Sequence, residues 1–296
     1  MLTALKWDAR TVPVNLDAAP IVDVSEIFAI PGVVVCDVRW YLNGESGRTA
    51  YDEGHLPGAV FVDLGEHLVG KPGPTVGRHP FPAPSAFARS MGMLGIGVEN
   101  PVVAYDDVGG MAAGRLVWML RILGRSAALI DGGLQAWGGL RETSCAKRPT
   151  VKVPVVPWPN ESLVTIDEVA DIASGKINGL VLDARAGERY RGDIEPVDPR
   201  AGHIPGALSA PFVDNLEADG TRATYFIDPD GLANRYRELG AVDAANVVAY
   251  CGSGISACHN LVAMEHAGLG RGRLFVGSWS QWSHSGRPVA AGVESK

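Results

Sequence analysis

Along this chain, short and almost continuous apolar runs alternate with longer stretches that have helical spacing. The runs at 33–38, 102–105, 180–183 and 247–250 are rich in β-branched residues, as strands buried on both faces are. The stretches 84–94, 114–123, 166–174 and 231–239 read as helices. Strands that alternate with helices predict an α/β fold, a mostly parallel sheet with helices on both faces. Ligands of such sheets bind beyond the carboxyl ends of the strands.

The pattern occurs twice. "PVVAYDDVGGMAAGRLVWML" from residue 101 answers to "NVVAYCGSGISACHNLVAME" from residue 246, a shift of 145. The same shift aligns "FPAP" (81–84) with "FIDP" (226–229), and "LIDGGLQAW" (129–137) with "LFVGSWSQW" (274–282). At slightly larger shifts "CDVRW" (36–40) matches "LDARA" (182–186), and "EGHLPGAV" (53–60) matches "AGHIPGAL" (201–208). So many matches in one order indicate a duplicated domain. The segment 144–162 contains Pro149, Pro154, Pro157 and Pro159, and proline stiffens a chain while removing a ladder donor. The expected division is therefore a first domain over 1–143, a Pro-rich linker over 144–162 and a second domain over 163–296.

Composition narrows this reading. With 46% hydrophobic and 20% charged residues, each half of the 296-residue chain can bury its own core. The formal charge of −7 argues against nucleic acid or an anionic membrane as partner. The opening "MLTALKWDAR" lacks the pattern of a secretory signal, and no apolar run suggests a membrane span. Four unevenly spaced cysteines, Cys36, Cys145, Cys251 and Cys258, fit a reducing compartment. The expectation is a cytoplasmic protein.

Cys251 follows the run 247–250 directly, at a strand's carboxyl end, and precedes a helix. The intervening glycines of Gly252-Ser253-Gly254-Ile255-Ser256 let the backbone curl so that amides face one centre, and the helix dipole adds to them. Such a cradle suits a thiolate or a persulfide. Ser256 is placed to cap the helix. The corresponding residue in the first half is Asp106, so packing alone does not demand sulfur there. A buried, inert cysteine is the plain alternative. A cysteine phosphatase would need an arginine near Ala257, and 252–260 contains no arginine or lysine. A zinc site from Cys251, Cys258, His259 and His266 matches no common spacing.

Taken together, "DVRW", "DARAGERY", "EGHLPGA", "AGHIPGA", "LIDGGLQAW", "GSWSQW" and "CGSGISA" resemble the tandem-domain rhodanese-like sulfurtransferases over nearly the whole chain. In that family the first domain has lost its cysteine and the second is active, which Asp106 against Cys251 fits. The resemblance implies two rhodanese-like domains, covalent catalysis through a Cys251 persulfide, and no metal or organic cofactor. The loop, with Gly252 and Ser253 where thiosulfate-preferring members carry basic residues, resembles that of 3-mercaptopyruvate sulfurtransferases. The resemblance further implies that Ser253 contacts the donor's sulfur or helps a proton relay, that His79 of "GRHPFP" reaches the site from the first domain, and that Asp63 is its acidic partner. Arg189 matches a substrate arginine for the donor's carboxylate. Arg200 is the candidate second, and Arg191 the residue that could substitute for it. The acceptor would be a thiol, cyanide or a thioredoxin-like protein. Thiosulfate as donor, or a non-catalytic sulfur-carrier or regulatory module, are the alternatives.

Other residues read as structural. Asp37–Arg39 and Asp183–Arg185 recur in both halves, as do His55 and His203, so support of the fold is expected of them. Trp137, Trp279 and Trp282 read as packing residues, with Trp279 able to line the pocket. Val276 stands where the family has aspartate and the first half keeps Asp131.

Overall fold

The computed structural model describes residues 15–218 and 224–293. The opening segment, expected to carry no secretory signal, lies outside the described residues. The first half contains β1 (Ile21–Val22), β2 (Val34–Asp37), α1 (Gly47–Glu53), β3 (Val60–Phe61), α2 (Leu64–His67), α3 (Pro84–Met93), β4 (Val102–Tyr105), α4 (Ala113–Ile122) and β5 (Ala127–Ile130). Its strands form one wholly parallel sheet in the order β1-β5-β4-β2-β3. The second half contains α5 (Ile166–Ala173), β6 (Leu180–Asp183), α6 (Gly187–Arg191), β7 (Leu208–Ser209), β8 (Leu216–Ala218), β9 (Thr224–Phe226), α7 (Pro229–Glu238), β10 (Val247–Tyr250), α8 (Ser256–His266), β11 (Arg273–Leu274) and α9 (Ser278–His284).

The second sheet is also parallel, in the order β11-β10-β6-β7. That order repeats β5-β4-β2-β3 of the first, and a single parallel bridge from Leu163 to Leu274 stands where β1 flanks β5. Helix α7 starts two residues earlier than its spacing suggested. Pro229 takes the first helical position, where a missing N–H does no harm, and the Asp228 carboxylate accepts from the amides of Asp230 and Gly231.

Strand alternation sorts the buried residues by face. Val35, Val103, Tyr105, Ala128 and Ile130 pack on the outer side of the first sheet, and Val181, Val248, Tyr250 and Phe275 on the outer side of the second. The other parity, including Val34, Cys36, Val102, Ala104, Leu182, Val247 and Ala249, joins α3, α4, α7 and α8 in a single apolar cluster that runs through both halves. Each large aliphatic side chain buried there contributes about 1.5–3 kcal/mol, so the docking of the halves is part of the core. Helices α4 and α8 pack tightly at Gly114, where an added Cβ would lie 3.3 Å from the His259 Cα.

The hairpin β8-β9 stands apart from both parallel sheets and reaches over to the first half, where the Phe226 amide donates to the Asp131 carboxylate at 2.9 Å. The aspartate that Val276 replaces thus serves an interdomain bond in the half that keeps it. The Pro-rich segment lies along the first half: the Trp158 indole donates to the Pro82 carbonyl and packs against Phe81 and Phe87. No helix among the described residues is long and apolar enough to cross a membrane.

Candidate active site

Cys251 shares the parity of Val247 and Ala249, so its side chain points to the inner face, toward the other half. The chain turns sharply behind it. Gly254 has φ +78°, and a Cβ there would lie 2.6 Å from the Val276 carbonyl oxygen, so only glycine fits. That turn aims the Gly254 amide at Cys251 Sγ, 3.1 Å away, and the thiol is 2% exposed. One main-chain amide thus donates to the sulfur, where the glycine pattern suggested several. The Cys251 amide donates to Ser278 Oγ at 3.2 Å, and its carbonyl accepts from the Trp279 amide at 2.9 Å. Ser278 itself sits at φ +52° and its hydroxyl donates to the Phe275 carbonyl. A non-glycine residue held in that region is strained, here beside the Cys251 sulfur.

The first half supplies the rest. His79 Nδ1 lies 2.7 Å from Ser253 Oγ, and the imidazole meets Trp40 edge to face. Burial, then the charges of Arg115 and Arg78, push His79 down to about 4. Its imidazole is therefore neutral at pH 7 and can exchange a proton with the serine hydroxyl. The His79 segment is pinned by Arg115, a fully buried arginine on the apolar helix α4. The Arg115 guanidinium donates to the carbonyls of His79, Pro80 and Leu68, and across to Gly254 at 2.8 Å. One side chain thereby ties the histidine loop of the first half to the cysteine loop of the second. Burial lowers Arg115 to about 10, which still leaves a cation beneath the thiol at neutral pH.

Two guanidinium groups lie above Gly252. A Cβ at Gly252 would be 3.2 Å from Arg78 Nη2 and 3.4 Å from Arg189 Nη1. Buried carboxylates hold both arginines from behind. Arg189 donates to Glu195 at 2.6 Å and reaches Asp198 at 3.5 Å, and Arg78 pairs with Asp198.

The structure redistributes the other expected site residues. Arg200 is spent on the chain: its three nitrogens donate to the carbonyls of Ser283, Arg287 and Trp282, fastening the end of α9. Arg191 lies at the surface, paired with Asp193. Asp63 caps α2 by accepting from the Glu66 amide at 2.9 Å, and it faces a cleft lined by Arg48, His67 and Cys145 rather than His79. Its charge acts on His67, while the charges acting on His79 are those of Arg115 and Arg78. Ser256 is the first residue of α8 and makes no capping bond; Ile255 stands at the cap position. Trp279 is fully buried, with its indole on the Arg200 carbonyl. His259 is buried between the halves, bonded to the Gly109 carbonyl and stacked on Phe226.

A family model described as the rhodanese-like domain matches this chain twice, over residues 21–140 and 165–285. The chain belongs to the rhodanese-like family. A probable 3-mercaptopyruvate sulfurtransferase from Pseudomonas aeruginosa is 42% identical to it over 88% of this chain and 93% of its own length. A putative thiosulfate sulfurtransferase from Mycobacterium tuberculosis is 38% identical over 88% of this chain and 92% of its own. Among solved structures, the 3-mercaptopyruvate sulfurtransferase from Leishmania major superposes with a TM-score of 0.78 at 28% identity, covering 92% of this chain and 76% of that one.

Within this rhodanese-like pair, sequence reasoning missed Arg78, Arg115 and Ser278. Arg78 adjoins His79, so whatever brings the histidine to the loop brings its neighbour. Arg115 is a lone cation among apolar residues in "AAGRLVWML", the pattern of a buried group that needs partners. Ser278 gives no sequence signal, since its backbone strain follows from the contacts around it.

Proposed function

We propose that this rhodanese-like sulfurtransferase takes sulfur from 3-mercaptopyruvate and passes it, through a persulfide on Cys251, to a thiol, cyanide or a reduced thioredoxin-like protein. The Cys251 thiolate attacks the donor's sulfur, the donor's carbon–sulfur bond breaks, and its electron pair leaves with pyruvate as the enolate. Ser253 and neutral His79 carry the thiol's proton toward that enolate, which becomes pyruvate. The persulfide's outer sulfur then goes to the acceptor and Cys251 is restored, so one hard step is divided into two easier ones. Arg189 holds the donor's carboxylate.

The observation that carries this reading is the 2.7 Å contact between His79 Nδ1 and Ser253 Oγ, which joins the two halves next to the nucleophile. Mercaptopyruvate expels a carbanion equivalent that must gain a proton. Thiosulfate expels sulfite, a stable anion that needs none, so a buried proton relay favours the former. The two guanidinium groups above Gly252 keep thiosulfate as the second reading, although Glu195 and Asp198 balance much of their charge.

Mass spectrometry after incubation with donor should find one added sulfur on the peptide that contains Cys251, and none in a Cys251→Ser variant. Steady-state assays should give kcat/KM at least about tenfold higher for mercaptopyruvate than for thiosulfate. The reverse order would select the thiosulfate reading. A domain boundary within 144–162 belongs to the same proposal and predicts proteolytic cutting there before either half is degraded.

A further inference from the structure

We infer that Arg115 is a positioning residue of the proton relay: its single guanidinium, supplied by the first half, fixes the His79 imidazole against the Ser253 hydroxyl. This rests on the mercaptopyruvate reading and gives the relay a support that Asp63 does not supply.

The geometry is a closed ring of contacts. Arg115 Nη2 donates to the His79 carbonyl at 2.8 Å, and Nη1 donates to the Gly254 carbonyl at 2.8 Å. Gly254 follows Ser253, whose Oγ lies 2.7 Å from His79 Nδ1. Both ends of the relay are thus attached, through main-chain carbonyls, to the same planar group. A guanidinium holds its donors in a rigid fork, so covalent geometry sets the spacing of the two loops. The fork is itself fixed. Nε and Nη2 donate to the Leu68 carbonyl at 3.3 and 3.1 Å, the guanidinium carbon lies 4.8 Å from the centre of the Phe81 ring, and the side chain is fully buried.

Two comparisons separate this role from packing. The residue 145 positions on is Asn260, whose amide donates to the Ala210 carbonyl within its own half. A neutral side chain makes that bond, so a carbonyl near this helix does not require a charge. The hydrogen-bond partners of Arg115, by contrast, are all carbonyl oxygens, and among the described residues no carboxylate pairs with it. A buried cation without a counter-ion is costly, which points to a use for the charge. That use lies at His79. The charged groups that act on the imidazole are Arg115 from α4 and Arg78 from its own loop, and Asp198 of the second half balances Arg78. Trp40 and Ser253 are its neutral neighbours. Arg115 is therefore the unbalanced cation beside the ring, and it disfavours the imidazolium; an acidic partner would favour it. The ring stays able to take a proton from Ser253.

The test compares Arg115 variants of the full-length enzyme with mercaptopyruvate as donor. Arg115→Lys keeps the charge and loses the fork. Its kcat should fall about tenfold or more, with KM changed less than about twofold, because the buried side chain is out of the donor's reach. The acid limb of its kcat profile should stay where the wild type has it. Arg115→Met loses the charge as well. Its acid limb should move to higher pH, since removing a nearby cation favours the imidazolium. An arginine that only supports the fold would reduce the amount of active enzyme and leave that limb in place. In a His79→Asn background Arg115→Lys should cost less than about twofold in kcat, because the group it positions is gone. The inference is overturned if the two losses multiply in the double variant, or if the acid limb of Arg115→Met coincides with that of the wild type. Where Arg115→Met does not fold, the cycle with Arg115→Lys decides alone. A wild-type enzyme that ignores mercaptopyruvate defeats the donor reading, and this inference with it, before any variant is compared.

Discussion

The loops after β4 and β10 descend from one pattern and hold different anions. In the first half, Asp106 follows the strand, and its carboxylate accepts from four amides, those of Val108 and Gly110 on one oxygen and Ala112 and Ala113 on the other, at 2.7–3.0 Å. In the second, Cys251 Sγ accepts from the Gly254 amide alone among the described residues, and the amides of Gly252, Ser253 and Ile255 face no acceptor there. The loops share their left-handed glycine, Gly109 at φ +73° and Gly254 at φ +78°. They part at the next residue, where Gly110 is at φ +85° and Ile255 at φ −94°. An aspartate oxygen stands one bond beyond Cγ, as the outer sulfur of a persulfide would stand one bond beyond Sγ. The first loop is built around a permanent anion, whereas the second leaves amide donors for the persulfide proposed on Cys251.

The surroundings differ in the same sense. Tyr51 stacks on His55 and Tyr190 on His203 with centroids 3.8 and 3.7 Å apart, which fixes the register of α1 against α6. In that register Ala50 takes the place of Arg189, and the loop shift puts Val108 at the place of Ser253. The first site thus lacks counterparts of the arginine proposed for the donor and of the serine proposed for the relay, as well as the sulfur.

The largest effect should come from exchanging the two anions. Cys251→Asp should still fold, with the new carboxylate taking up loop amides, and turnover should fall by more than about a thousandfold. Asp106→Cys should gain no sulfur adduct on the first-half loop peptide by mass spectrometry. An adduct there would mean that the loop alone makes the site and that Ser253, His79 and Arg189 are dispensable.

A smaller effect should come from the relay. Ser253→Ala removes the hydroxyl partner of His79 and should lower kcat about tenfold or more at pH 7. Because His79 is pushed down to about 4, its imidazole stays neutral from pH 8 to near pH 5 and gains its proton only below that. The His79-dependent part of kcat should therefore be flat across that range and fall on further acidification. A step near pH 6.5 that vanishes in His79→Asn would show an imidazole in ordinary solvent contact, contrary to the buried pair.

The smallest effect should be at Asp63. Asp63→Ala loses a helix cap worth about 1 kcal/mol, read by chemical denaturation, and should leave kcat and KM unchanged. A tenfold fall in kcat would restore a proton-relay role to that carboxylate.

Much of this was legible in the chain itself. Apolar runs, the shift of 145 residues and the residues flanking Cys251 were enough for two parallel sheets, their strand positions and the place of Cys251 at a strand end, because strand parity and turn chemistry are local. The Asp37–Arg39 and Asp183–Arg185 pairs were legible too, since both partners lie two residues apart and the same pairing recurs, at 2.7 and 2.6 Å. The arginines were not. Arg200 and Arg78 are alike as sequence, and which of them faces Gly252 depends on whether main-chain carbonyls at 282–287 or Asp198 claim the guanidinium.

Composition and local pattern determined the duplicated α/β fold and the place of Cys251 at a strand end; the resemblance implied the sulfur chemistry. The docking of α4 on α8 decided what surrounds that sulfur: His79 on Ser253, Arg115 under Gly254, and Arg78 opposite Arg189. The first two of those contacts join residues 174 and 139 positions apart, and a long flexible side chain finds its partner only after the core has set which surfaces meet.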